Sequence, residues 1–328
     1  MKAIVRDRYG SPDVLELADV PKPVPGDGDV LVRVRAASVN RADLDYLTGT
    51  PFLTRMGTGL RSPRNRGLGL DAAGVVEAVG PAVTNFRPGD AVMGDLTAHG
   101  YGAFAEYACA PVKAWARKPD GLTFEEAATV PQSAILAFQG LRGGRSIKPG
   151  DAVLVNGASG NVGPYAVQLA KSFGAEVTGV CSTAKLEFVR SLGADHVIDY
   201  TREDYTRLGP RYDWILDVWG RRSFLAPRRA LRPGGRYVMA GGSTGAIFEA
   251  LLLGPILSLA RNRKLGLLIW WKPFDQADVA TLSALLEAGS IRPAIDRRFA
   301  LAEVPDALRH LEQGRALGKL VITVSDGD

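Results

Sequence analysis

The chain has 328 residues, 46% of them apolar and 23% charged, and its 40 basic residues against 35 acidic ones leave a net charge of +5. That length predicts about two domains, and the composition supports packed cores rather than disorder. The charge is mild and scattered, with small clusters only at Arg61, Arg64 and Arg66 and at Arg261, Arg263 and Lys264, so the dense basic stripe of a nucleic-acid binder is missing.

The chain opens on Met1-Lys2-Ala3-Ile4-Val5-Arg6, which lacks the apolar stretch of a signal peptide and reads as a strand. Short β-branched runs follow at 30–34, 73–79 and 91–93. Turn signals such as Pro25-Gly26-Asp27-Gly28 and Arg87-Pro88-Gly89-Asp90 separate them, and the pattern predicts a small β-barrel-like domain over 1–122. Thr123 with Glu126 three residues on forms a capping-box signature that opens a helix. From there strands expected at 152–156, 176–180, 196–199, 213–218, 236–240 and 265–271 alternate with helices, including 162–173 and 185–192. Alternation of this kind means parallel strands with crossover helices, over 123–272. The greasiest stretch, 246–260, contains Glu249 and Pro255 and is too short to cross ~30 Å of hydrocarbon. Helices at 278–288 and 303–313 and a strand at 320–324 are expected to return to the first domain, over 273–328. Cys109 and Cys181 are the only cysteines, which excludes a disulfide framework and suits a reducing, cytoplasmic compartment.

The most informative motif is Val153-Leu154-Val155-Asn156-Gly157-Ala158-Ser159-Gly160-Asn161-Val162-Gly163, a strand running through a glycine-rich turn into a helix. Glycines at 157, 160 and 163 let the backbone turn sharply, bring amide groups close to a pyrophosphate and pack helix on strand. The helix N-terminus adds free N–H donors. NAD-specific folds place Asp or Glu at the end of the second strand to hold the ribose hydroxyls. Here that strand ends in Cys181-Ser182-Thr183-Ala184-Lys185, with two hydroxyls and one cation. This favours NADPH, although Ser182 and Thr183 would equally cap the next helix.

Residues 156–171, Gly174-Ala175-Glu176-Val177, Leu192-Gly193-Ala194-Asp195-His196-Val197-Ile198-Asp199-Tyr200 and 213–218 resemble the medium-chain dehydrogenase/reductase superfamily, in its zinc-free, zeta-crystallin-like quinone oxidoreductase branch. So do Ala37-Ser38-Val39-Asn40, Gly69-Leu70-Asp71-Ala72-Ala73-Gly74, Gly102-Ala103-Phe104-Ala105-Glu106-Tyr107 and Gly318-Lys319-Leu320-Val321. The resemblance implies an α/β chain: a Rossmann doubly wound parallel sheet plus a GroES-like β-barrel catalytic domain, with the active site in the cleft between them. It implies that Ser182, Thr183, Lys185 and Tyr200 surround the adenosine 2′-phosphate, Tyr200 being otherwise an ordinary strand-end aromatic. It also implies that Val218, Gly241, Gly242, Ile269 and Trp270 flank the nicotinamide half. Asn40 is expected near nicotinamide and substrate, with Asp43 orienting it or bonding backbone. Tyr46 is a proton donor or a packing residue. Gln132 either supplies the polar group that Leu136 lacks or faces elsewhere.

Zinc-dependent relatives carry Gly-His-Glu where this chain has Gly69-Leu70-Asp71, and leucine cannot bind zinc. His99, His196 and His310 fall outside any ligand spacing. A metal-free reaction leaves hydride chemistry to the cofactor and polarisation of the acceptor to the protein. The expected activity is reduction of a small apolar quinone or α,β-unsaturated carbonyl. An enoyl-thioester or specialised biosynthetic reductase, and a non-catalytic NADPH-binding sensor or RNA-binding protein, stay open. The apolar segment 245–272 suggests a homodimer contact or, alternatively, a pocket wall.

Overall fold

The protein, seen here as a computed structural model, is described over residues 1–142, 145–209, 211–220, 222–223, 225–259, 264–267 and 272–324. Its strands in chain order begin with β1 (Lys2–Val5), β2 (Glu16–Asp19), β3 (Asp29–Val39), β4 (Asp71–Val79), β5 (Ala91–Asp95), β6 (Tyr107–Pro111) and β7 (Trp115–Arg117). Next come β8 (Ala152–Asn156), β9 (Glu176–Cys181), β10 (His196–Asp199), β11 (Tyr212–Asp217), β12 (Leu231–Met239) and β13 (Lys264–Leu267). The last two are β14 (Ile295–Ala300) and β15 (Lys319–Thr323). They fall into two units, one made of residues 1–135, 273–287 and 293–328, the other of 136–272 and 288–292.

In the first unit β3 is the hub, because its long run of β-branched residues is buried along most of its length. It pairs antiparallel with β4, β6 and β15, so that Ser38 lies opposite Asp71 and Val39 opposite Leu320. The sheet order is β14-β15-β3-β4-β5-β7, with β6 on β3. Leu68, Phe104 and Trp115 are fully buried in its core. The helix Phe124–Ala128 begins as its sequence dictates: Thr123 Oγ1 accepts from the Glu126 amide at 3.1 Å, and the Glu126 carboxylate accepts from the Thr123 amide at 2.8 Å. Thr123→Ala is expected to lower stability by about 1 kcal/mol, read as a shifted urea midpoint at constant slope.

The second unit holds a six-stranded, wholly parallel sheet in the order β10-β9-β8-β11-β12-β13. The order reverses beside β8, which places the β8 carboxyl end at the switch point where such sheets take their ligands. The apolar stretch after Ser243 forms a helix, Thr244–Leu259, and the strand expected beyond it is described over Lys264–Leu267. Residues 268–271, with Ile269 and Trp270, lie outside the described residues. Among the described residues no helix is long and apolar enough to cross a membrane.

Candidate active site

The turn after β8 meets the requirements of a pyrophosphate cradle. Gly157 has φ +84°, a left-handed conformation that glycine adopts without strain, and its amide and that of Ala158 donate to the Val180 carbonyl on β9. Gly163 opens the helix Gly163–Ser172. A Cβ there would sit 2.3 Å from the Gly157 carbonyl oxygen and 2.4 Å from the Ala158 carbonyl carbon, so only glycine allows the helix to pack this closely on the turn. Gly160 is open by comparison, its nearest neighbour being 3.5 Å away. Val162, at the N-cap position, offers no side-chain acceptor, so it does not compete with an external anion for the helix start. Ala158 and Ser159 are buried beneath the turn, while Gly160, Asn161 and Val162 are partly accessible. These residues fit a dinucleotide diphosphate. Alongside, Val218 donates its amide to the Asn156 carbonyl, Gly220 donates to Gly241, and Gly242 is bridged to Gly220 with no space for a side chain. Asp217 supports the group from within, its carboxylate accepting from Asn156, Trp219 and Tyr237 at 2.8–3.0 Å; burial pushes its carboxyl pKa up.

The end of β9 is less simple than its own residues suggest. Parallel register sets Asp199 of β10 beside Cys181, and the Asp199 carboxylate accepts from Thr183 Oγ1 at 2.5 Å and from the amide and hydroxyl of Thr201 at 2.9 and 2.7 Å. An acid therefore does stand next to the expected phosphate position, supplied by a different strand. Its charge is directed into these bonds, which hold its carboxyl below the ordinary range. Thr183 spends its hydroxyl proton on Asp199. Ser182 makes no capping bond, and Tyr200 is 51% exposed beside it.

In the first unit Asn40, Asp43, Asp71, Ser133 and Lys319 are brought together in one buried polar cluster. Lys319 Nζ, fully enclosed, donates to Asn40 Oδ1 at 2.6 Å and Ser133 Oγ at 3.1 Å, and lies 3.7 Å from Asp71 Oδ2. Asn40 Nδ2 donates to Asp71 Oδ2 at 2.9 Å and makes a longer contact, 3.5 Å, with the Ser38 carbonyl. The amide of Asn40 is thus engaged inside the protein on both its ends. Asp43 Oδ2 accepts from the Asn40 backbone amide at 2.7 Å, holding the start of the helix Arg41–Thr48, while burial raises its carboxyl pKa well above the usual value. Burial likewise pushes the Asp71 carboxyl up and the Lys319 ammonium down, each partly offset by the other's charge. Gln132, buried, donates to Thr97 Oγ1 at 3.3 Å, and Thr97 in turn donates to Asp95. Tyr46 stands apart from this cluster. Its ring packs on Tyr101 with centroids 4.7 Å apart, and its pKa is raised by burial.

Residues 26–120 match the family of alcohol dehydrogenase GroES-like domains, and residues 192–322 match the zinc-binding dehydrogenase family. The chain is 35% identical to the tomato (Solanum lycopersicum) 2-methylene-furan-3-one reductase over 98% of its own length and 79% of that protein's. It is 32% identical to an NADPH-dependent alkenal/one oxidoreductase of Arabidopsis thaliana chloroplasts, with the same coverage. The quinone oxidoreductase of Coxiella burnetii superposes with a TM-score of 0.87 at 32% identity, covering 99% of both chains. The chain belongs to the medium-chain dehydrogenase/reductase superfamily, in its quinone oxidoreductase branch.

As a medium-chain oxidoreductase it has a site partly hidden from sequence reasoning. Among the described residues no set of three histidine, cysteine, aspartate or glutamate side chains is arranged to hold a metal ion. Lys319 and Asp199 adjoin the expected site residues Asn40 and Thr183, although the sequence reading gave neither a role. The signal for Lys319 was a lone lysine followed by Leu320, Val321 and Ile322, all buried: a charge inside an apolar strand needs a partner. Arg6, 1% exposed at the end of β1, carries the same signal.

Proposed function

We propose that this oxidoreductase passes a hydride from NADPH to a quinone or α,β-unsaturated carbonyl compound and does so without a metal ion. The observation that carries the reading is the cradle at Gly157–Gly163, which is closed to any side chain at Gly163 and has no side-chain cap over the helix start. When bound, the nicotinamide supplies the hydride. The amides of the glycine-rich turn hold the diphosphate, Ser182 and Lys185 face the 2′-phosphate, and the buried polar cluster fixes the helix Arg41–Thr48 that carries Tyr46. Leu70, apolar where a zinc ligand would stand, supports the metal-free reading. Purified protein mixed with NADPH and a panel of simple quinones and enones, followed by loss of cofactor absorbance, tests the proposal; no turnover with any of them overturns it.

NADPH rather than NADH rests on Lys185 and Ser182 and on the inward-turned charge of Asp199. Lys185→Ala is expected to weaken NADPH binding about tenfold or more while leaving NADH binding unchanged, as calorimetry would show. Equal weakening of both nucleotides contradicts the phosphate role. The reading includes a homodimer, supported by Phe248, Leu251 and Leu252 exposed together on the helix Thr244–Leu259, and sedimentation velocity measures it directly. It also places the protein in the reducing cytoplasm, in keeping with the unpaired thiols of Cys109 and Cys181.

A further inference from the structure

The first unit carries a patch of large apolar side chains that stand out in solvent. Phe52 and Met56 are four residues apart at the helix Leu53–Thr58, and Phe52 already has helical backbone angles, so both lie on one face. They are 66% and 65% exposed, and Leu60, just past the Gly59 turn, is 60% exposed. A side chain added at Gly57 would meet nothing within 4 Å, so this side of the helix is bare. Single exposed apolar residues are ordinary, whereas large ones grouped this closely mark an interaction surface.

The charge around the patch has one sign. From Tyr46 to Leu70 the chain contains Arg55, Arg61, Arg64 and Arg66 and no aspartate or glutamate. Two of these cations are used inside the fold. Arg55 donates to the Gly49 carbonyl at 3.1 Å and lies over the Tyr9 ring, and Arg66 is paired with Asp7. Arg61 and Arg64 are exposed, and neither side chain has a partner among the described residues. The segment that presents them is anchored: the Tyr9 hydroxyl donates to the Gly59 carbonyl at 2.6 Å, and the Arg64 amide donates to the Thr58 carbonyl at 2.8 Å.

Apolar side chains flanked by unpaired cations on a fixed scaffold match the boundary of a bilayer with anionic headgroups. Apolar tips enter the edge of the acyl region there, and guanidinium groups meet lipid phosphates. A nucleic acid would engage the arginines but leave Met56 and Leu60 without a use. A symmetric contact with a second copy would set Arg61 and Arg64 against their own counterparts.

We propose that residues 52–64 seat this unit on an anionic lipid surface, with Phe52, Met56 and Leu60 in the headgroup boundary and Arg61 and Arg64 on the phosphates. The contact is made at the surface, since no described helix is long and apolar enough to cross a membrane. It goes beyond the reductase reading and does not depend on it.

The test is co-flotation of the full chain with vesicles made of equal phosphatidylcholine and phosphatidylglycerol, against vesicles of phosphatidylcholine alone. At low salt the chain is expected to float with the anionic vesicles and to bind the neutral ones at least tenfold more weakly. Arg61→Gln with Arg64→Gln should weaken binding about tenfold or more, because each cation near such a surface contributes about fivefold. Phe52→Ser with Met56→Gln keeps both charges and should also weaken it about tenfold, through lost apolar insertion. All four positions except the arginines' neighbours are changed at solvent-facing atoms, so an unchanged melting curve by circular dichroism shows an intact fold. Leu60→Gln carries the apolar test should that double variant fail to fold. A wild-type chain that does not float overturns the proposal, and so does an apolar variant that floats as well as wild type. Sedimentation velocity altered by Phe52→Ser with Met56→Gln, without vesicle binding, would give the patch to a second copy and overturn it. Arginine-dependent binding of single-stranded RNA in place of vesicles would do the same.

Discussion

Lys319→Met is expected to destabilise the protein by about 3–5 kcal/mol, because it leaves the Asp71 carboxylate buried without its cation. The ammonium is the centre of the polar cluster: it bonds Asn40 and Ser133 and lies 3.7 Å from Asp71, whose side chain has no solvent exposure. Methionine fills a similar volume, so the loss reports the missing charge rather than a cavity. Urea denaturation of wild type and variant measures it. The double variant Lys319→Met with Asp71→Leu removes both charges and should recover most of the stability, since an apolar pair of similar volume commonly replaces a buried ion pair without penalty. A single variant within about 1 kcal/mol of wild type would mean that Asp71 is already neutral in the folded protein, consistent with the upward push of burial on its carboxyl.

Gly163→Ala is the second large effect, this time on the nucleotide. The added methyl would lie within 2.5 Å of three backbone atoms of the turn, so either the turn or the helix Gly163–Ser172 has to move. The amides that face the diphosphate move with it. Binding of NADPH should fall at least a hundredfold, about 2.7 kcal/mol at the usual conversion, while the parallel sheet itself persists by circular dichroism. Gly160→Ala makes the control, because its methyl has no close backbone neighbour and the turn can keep its shape. Any loss there reports crowding of the ligand rather than a displaced helix. Affinity for NADPH that survives Gly163→Ala would show that the cradle is not where the diphosphate binds.

The parts of this molecule legible in its sequence are those built from neighbouring residues. The strand, turn and helix from Ala152 to Ser172 follow one another within a short run, so their purpose can be read without a fold, and the capping box at Thr123 is equally local. What escaped is assembled across the chain. Lys319 meets Asn40 over 279 residues, and Asp199 reaches Thr183 only through the pairing of β9 with β10. Asn40 illustrates a different limit. The resemblance sets it near nicotinamide and substrate, and its own stretch of sequence does not reveal that its amide bonds Lys319 and Asp71. Tyr46, on the helix that Asn40 caps, packs on Tyr101, a residue whose setting depends on two flanking glycines.

The sheet built on β3 is completed by β15, which arrives after the whole run of residues 136–272 has been made. During synthesis, then, the parallel sheet has all its strands in hand while the earlier-translated half still waits for its closing edge. Until β15 emerges, Asp71 lacks the Lys319 ammonium and the Ala36–Val39 end of β3 lacks its strand partner, so the half that leaves the ribosome first is the half that matures last. Ribosome pausing or proteolysis near the C-terminus would therefore strike the N-terminal half harder than the nucleotide fold.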